Sequence, residues 1–122
     1  MESILTSIKK MLGIAEEYTH FDADLMMHIN SVLSILTQIG VGPNEGFSIE
    51  DKNDVWADFI PENSNLELVK SYTYMKVKIL FDPPLISAVI ESMNQMISEL
   101  EWRILVATDP VKDKREEEIQ NE

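Results

Sequence analysis

The chain has 122 residues, of which 44% are hydrophobic, a length and composition typical of one domain with one hydrophobic core. Its formal net charge of -12 argues against a grip on the phosphate backbone of nucleic acid, which requires clustered lysine and arginine. The sequence has no cysteine, which excludes disulfides, thiolate metal sites and a cysteine nucleophile, and no apolar run reaches the roughly 18 residues that a membrane span needs.

Two amphipathic helices are predicted in the first 40 residues. The first covers residues 3–12, whose apolar side chains share one stripe, and Gly13 suits the left-handed position that ends a helix. The second covers residues 21–39, with a broad apolar face and either Thr19 or Asp22 as its N-terminal cap. Both helices therefore have a core-facing side.

The opposite face of the second helix carries small polar side chains and no charge. No Asp, Glu, Lys or Arg occurs between Asp24 and Glu45, although 26% of the chain is charged. Solvated helix faces usually carry charged residues, so this face is predicted to pack against a partner; a merely polar, solvated face is the alternative. Its residues are Asn30, Ser31, Ser34, Thr37 and Gln38.

A long acidic loop is predicted between the second and third helices, over residues 40–65. A connection of this length is unusual in a small domain and is often functional. Within it, the pattern indicates a short strand at residues 47–49 and a helical turn around residues 54–59. Trp56 is expected either to anchor this loop to the body or to contact a partner, since aromatic residues are frequent interface hot spots.

Two long helices follow, separated by the stop Asp82-Pro83-Pro84. The third is predicted over residues 66–81 with Asn65 as its cap, and its wide apolar surface indicates a central position. The fourth is predicted from Pro84 to about residue 107, because proline suits the first turn of a helix. Its packing seam consists of Ile86, Ile90, Met93, Ile97, Leu100 and Ile104.

Trp102 and Val106 lie on the side of the fourth helix away from that seam. The interpretation is that the proline corner aims the Trp102 end of the helix away from the core, where a neighbouring subunit receives it. Coverage by the first helix or by the long loop is the alternative. Arg103 is expected to form an i,i+4 ion pair with Glu99 and to border the same surface.

The sequence shows no catalytic pattern. A weak cluster of possible metal ligands comprises His20, Asp22, Asp24 and His28, but it lacks the spacing of a helical metal site. No nucleophile and base are paired, and no glycine loop for phosphate is present. We therefore expect no enzyme activity, no cofactor and no metal.

Several segments together resemble a known family. "YTHFDADLMMHINSVLSILTQIGVGP", "LELVKSYTYMKVKILFDPP" and "ISELEWRI" are similar to the small head–tail connector (adaptor, or head-completion) proteins of tailed bacteriophages. The resemblance covers about residues 3–107, and its most specific parts are the Phe81-Asp82-Pro83-Pro84 stop, the run at residues 99–103 and the loop Gly40-Val41-Gly42-Pro43.

The resemblance implies an all-α protomer that assembles into a ring, dodecameric in the mature virion and possible as a monomer in isolation. Such a ring lies beneath the portal in the virion neck, extends the DNA exit channel and offers a platform to the next neck or tail-completion protein. It implies assembly in the host cytoplasm and no specific binding of nucleic acid. The family has interfaces in place of an active site.

The expected architecture is a small all-α bundle of about four helices, with a connector domain at residues 1–108 and a charged, flexible tail at residues 109–122. A regulatory or DNA-mimicking protein that binds a host factor is the runner-up, and a small metal-dependent enzyme comes third. For the connector, the sequence predicts these residues at a subunit or partner interface: Asn30, Ser31, Ser34, Thr37, Gln38, Trp56, Trp102, Arg103 and Val106.

Overall fold

A computed structural model describes residues 2–61 and 65–108. In these ranges the chain is helical and contains no strand, only one isolated antiparallel bridge between Ser3 and Val55. The all-α prediction is confirmed. The helices are α1 (Ile4–Leu12), α2 (Asp22–Gln38), α3 (Trp56–Phe59), α4 (Leu66–Phe81) and α5 (Ser87–Ala107).

The ends of the first helix follow from local chemistry. Ser3 caps α1 with its hydroxyl, which accepts a hydrogen bond from the Thr6 backbone N–H at 3.2 Å. Gly13 ends α1 in the left-handed conformation, at φ 80°, as predicted. The backbone N–H groups of Gly13 and Ile14 donate to carbonyls of the last turn of α1, so the end of the helix is satisfied.

The beginning of α2 differs from the prediction because of a buried lysine that the sequence analysis did not identify. Lys9 is only 2% exposed, and its ammonium donates to the carbonyls of Glu16 at 2.8 Å and Tyr18 at 2.7 Å. The same Nζ lies 2.9 Å from Oδ1 of Asp22. In the described chain, neither Thr19 nor Asp22 caps α2, because α2 has no side-chain cap and the Asp22 carboxylate pairs with Lys9.

Helix α4 occupies the centre of the domain. It packs against α1, α2 and α5, and its Val69, Tyr72 and Val77 are buried. Its observed bounds agree with the prediction, although the Asn65 side chain makes no capping bond to it. The core also includes Leu25, Ile29, Val32, Leu33 and Leu36 of α2 and Ile4, Leu5 and Ile8 of α1.

The long loop is held to the body at several places, and at two of them its backbone groups form hydrogen bonds. At the first, the Asn30 side chain of α2 donates to the Ile49 carbonyl at 3.0 Å and accepts from the Ile49 N–H at 2.7 Å. These bonds to a side chain replace the strand predicted at residues 47–49, which is absent. At the second, the backbone groups of Glu2 and Ile4 bond to residues 54 and 56 at the end of the loop.

The helical turn predicted near residues 54–59 is confirmed as α3. Trp56 is 2% exposed, and its indole N–H donates to the Ser7 hydroxyl of α1 at 2.8 Å. Phe59 is equally buried and packs beside the Phe47 ring, with 5.4 Å between the ring centroids. The aromatic residues of the loop therefore complete the core.

The Asp82-Pro83-Pro84 stop ends α4 where predicted, at Phe81. The carboxylate of Asp82, the C-cap residue, accepts from Lys78 at 2.8 Å. The predicted start of the next helix was wrong: α5 begins at Ser87, because Ile86 is extended and Pro84 belongs to the connection. The tail predicted at residues 109–122 lies outside the described residues.

We expect Lys9→Met to lower the free energy of unfolding by about 2–3 kcal/mol, since removing one partner of a buried ion pair leaves the other, here Asp22, without its counter-charge. Asp22 retains some exposure, which keeps the loss below that of a fully buried pair. Urea denaturation followed by circular dichroism measures it. Lys10→Met is the matched control, because Lys10 is exposed; equal losses in the two variants would contradict the role of Lys9.

Two glycines allow a second matched comparison. Gly42 and Gly46 both have positive φ, at 82° and 92°, but a Cβ on Gly42 would lie 2.4 Å from the Phe59 ring, whereas nothing lies within 4 Å of one on Gly46. Gly46→Ala should cost only the backbone strain of about 1–2 kcal/mol. Gly42→Ala should cost a further amount of about 1–3 kcal/mol for displacing Phe59. Thermal and urea denaturation measure the loss of unfolding free energy in each variant. Equal losses in Gly42→Ala and Gly46→Ala would contradict the importance of the Phe59 contact.

Candidate assembly surfaces

Helices α4 and α5 are antiparallel, and one hydrogen bond marks their register. The phenol of Tyr72, fully buried in α4, donates to the Glu101 carboxylate of α5 at 3.1 Å. Burial raises the pKa of Tyr72 well above its usual range, and the Glu101 charge adds to that effect. At the same end of the helix pair, the Thr108 hydroxyl donates to the Ile39 carbonyl at 3.1 Å, which ties α5 to the end of α2.

This register makes α5 extend past α4. Phe81 lies nine residues after Tyr72, so the antiparallel position on α5 is Ser92, nine residues before Glu101. Counted from that bond, the first five residues of α5 lie beyond the last residue of α4, which corresponds to about 7.5 Å of helix. The connection from α4 leads out to this projecting end.

Apolar side chains cover the projecting end. Leu85 is 102% exposed, Ile86 64% and Val89 43%. We call these three residues the overhang. Ile86 belonged to the predicted seam, but in α5 only Ile97 and Ile104 are buried, so the seam is in contact along its C-terminal half alone.

The projecting end is not the one predicted. The Trp102 end of α5 lies against the body, because Ile104 is buried beside it and Thr108 bonds to α2. The exposed end is instead the beginning of α5, where the overhang lies. The prediction failed because α5 is longer than α4 and pairs with it near the C-terminus of α5, so the unpaired length falls at the beginning of α5.

Trp102 is nevertheless exposed, at 64%. Among the described residues neither α1 nor the long loop covers it, contrary to the alternative considered from the sequence. Arg103 is exposed beside it and Val106 is partly buried. The expected Glu99–Arg103 ion pair is absent from the described residues, while the neighbouring Glu101 is engaged by Tyr72.

The polar face of α2 is partly used within the protomer. Asn30 holds the long loop, as described above, and the Thr37 hydroxyl donates to the Leu33 carbonyl at 3.0 Å. Ser31, Ser34 and Gln38 are exposed. These three side chains form the remaining candidate contact surface on α2.

Trp56 has to be removed from the candidate interface. Its side chain is buried and satisfied by Ser7, so it cannot reach a partner from the surface of this fold. The first interpretation, an anchor for the loop, is the one that the structure shows. The sequence had left a contact with a partner as the alternative.

The possible metal ligands are not assembled into a site. No group of three or more His, Asp or Glu side chains that could hold a metal ion occurs in residues 2–61 and 65–108. Asp22 pairs with Lys9, and the His20 ring lies 4.8 Å from the Phe21 ring. Nor is any helix of this part of the chain long and apolar enough to cross a membrane.

The exposed residues of α2 and α5 are thus the candidate contact surfaces of the described chain. The sequence matches the family model of the phage connector protein over residues 4–111. The chain belongs to the phage connector family. Neither a curated protein nor a solved structure gives a significant match. Membership implies a structural role as a component of the phage particle, in association with other head or tail proteins.

Sequence reasoning missed the overhang of this connector, although a signal was present. From residue 83 to residue 98, only Glu91 is charged, and most of these residues are exposed. An exposed helix with so little charge is unusual in an acidic chain. The same argument that singled out α2 would have found the beginning of α5.

The pH dependence of stability tests the α4–α5 contact. Tyr72 is neutral when protonated and its folded-state pKa is raised, so its contribution is complete below the unfolded pKa of about 10 and is lost as pH rises above it. Denaturation midpoints should therefore fall more steeply above pH 10 in the wild type than in Tyr72→Phe. The control Tyr74→Phe retains Tyr72 and should follow the wild type; identical profiles for all three proteins would contradict the assignment.

Proposed function

We propose that this connector forms a ring in the virion neck, between the portal of the head and the tail, and extends the channel through which DNA leaves. The overhang is the observation that carries the proposal. A fully exposed leucine next to an exposed isoleucine and valine is unfavourable in water and favours contact with another protein surface.

The size of the overhang favours assembly on a template. Burying its three side chains would contribute about 1.5–3 kcal/mol each, whereas association costs about 4–15 kcal/mol. One such contact gives weak pairing in solution. In a ring on the portal, every subunit buries its overhang and also contacts the portal itself. We therefore expect a monomer in isolation and a ring of twelve subunits in the neck.

The charge of the chain fits a passage for DNA. With a net charge of -12 per subunit, a ring would not attract the phosphate backbone and would not slow its exit. The same charge is compatible with a DNA mimic. The overhang supports the connector over the mimic, because a mimic would present rows of carboxylates and not exposed aliphatic side chains.

The partners proposed are the portal, the next neck or tail-completion protein and further copies of this chain. Trp102, Arg103 and Val106 on α5 and Ser31, Ser34 and Gln38 on α2 are candidate contacts in addition to the overhang. Assembly would take place in the host cytoplasm. No catalytic step is part of this role.

Mixing the purified chain with the portal protein of the same phage tests the proposal. Electron microscopy and mass photometry should show a ring of connector subunits on the portal. A chain that stays monomeric and never joins the portal would contradict it. Recovery of a host nuclease or polymerase, in place of virion proteins, from infected cells would favour the mimic.

Trp102→Ala should impair this assembly without weakening the monomer. Because the indole is mostly exposed, its removal should change the unfolding free energy by no more than about 0.5 kcal/mol. The fraction of portals that carry a ring should fall several-fold. Trp102→Tyr, which keeps a large aromatic ring, is the control and should assemble. A large loss of thermal stability in Trp102→Ala would place the indole in the core.

A further inference from the structure

An open apolar cleft lies at the same end of the bundle as the overhang. Its volume is about 400 Å³, and it is lined by Leu12, Ile14, Phe21, Phe81 and Asp82. The Phe21 and Phe81 rings, at the beginning of α2 and the end of α4, meet with 5.2 Å between their centroids. The cleft therefore sits where α4 stops and α5 continues.

The cleft and the overhang match in size and chemistry. A methyl or methylene group occupies about the volume of a water molecule, about 30 Å³, so two four-carbon side chains need about 240 Å³. The cleft is therefore large enough for Leu85 and Ile86 together. Its lining is apolar except for Asp82, whose carboxylate is already paired with Lys78.

Charge favours a second copy of this chain as the occupant. Two subunits of net charge -12 repel each other wherever their charged surfaces meet. Residues 83–98 contain one charged residue, Glu91, so this part of the chain can approach another copy with little repulsion. The overhang thus combines exposed apolar area with the low charge that self-association requires.

The position of the two surfaces suits a closed ring. In a ring the interface is head-to-tail, so two different surfaces of the subunit must meet. The overhang and the cleft are different surfaces at one end of the bundle, and in subunits arranged side by side they stand at the same level. A projection of about 7.5 Å beyond α4 allows the overhang to reach sideways.

We propose that Leu85 and Ile86 of each subunit occupy the cleft lined by Leu12, Ile14, Phe21 and Phe81 of the neighbouring subunit. This contact rests on the ring proposed above and specifies which surfaces form it. It makes the connection between α4 and α5 the element that links one subunit to the next. The portal and the tail side then use other surfaces.

Single cysteines test the contact directly, because the sequence contains none. Full-length Leu85→Cys and Ile14→Cys proteins are mixed, assembled on the portal and treated with a mild oxidant. We expect a disulfide-linked dimer that contains one of each protein, visible on a non-reducing gel and identified by mass spectrometry. Leu12→Cys serves as a second cleft variant in case Ile14→Cys folds poorly.

The matched control is Ala57→Cys. Ala57 is exposed on α3, at the opposite end of α1 from Leu12, so Ala57→Cys should give no dimer with Leu85→Cys. A mixture in which only Leu85→Cys homodimers form would indicate an end-to-end, two-fold contact and would overturn the proposal.

The outcomes separate this contact from the proposed function. Wild-type rings on the portal together with no Leu85–cleft disulfide would refute the contact and leave the ring standing; a disulfide from Leu85→Cys to the portal would do the same. No ring from the wild-type chain would refute the proposed function and this contact with it. Leu85→Asp should fold normally but form no rings, whereas Ala57→Asp should still form rings. That result would support both the proposed ring and the proposed contact.

Discussion

The register between α4 and α5, marked by the hydrogen bond from Tyr72 to Glu101, governs the surface of this protein. Helix α4 has 16 residues and α5 has 21, so two antiparallel helices of these lengths cannot cover each other completely. Because the pairing lies toward the end of α5, the unmatched length falls at its beginning. The exposed Leu85 and Ile86 follow from that placement, as does the burial of Ile97 and Ile104.

Buried charges in the interior are paired, and the candidate contact surfaces carry few charged residues. Two lysines are buried in the described part of the chain, and both are paired: Lys9 with Asp22, and Lys70 with Glu2. Each pair joins segments that are separated in sequence, so it orients the chain as well as satisfying a buried ion. Acidic residues are absent from α2 beyond its first turn, and between residues 83 and 98 only Glu91 is charged.

Much of the fold could be predicted because local patterns determine it. The bounds of α4, the end of α1 at Gly13 and the turn at Trp56 all depend on residues close in sequence. The Lys9 ion pair, the bonds between Asn30 and Ile49 and the role of Trp56 depend on contacts that a helical pattern does not encode. For the candidate site, the exposure of Trp102 agrees with the sequence argument, whereas the identity of the projecting end requires the register of two helices.

The bond between Trp56 and Ser7 has a consequence for how the chain folds. It spans 49 residues, and the pair of Lys70 with Glu2 spans 68. Helix α1 contacts α2, which follows it directly, but its contacts with α4 can form only after the chain is synthesised past residue 70. Contacts this distant raise the contact order and slow folding relative to a bundle of sequential hairpins. The set of contacts around α1 is therefore completed late, although α1 precedes the other described helices in the chain.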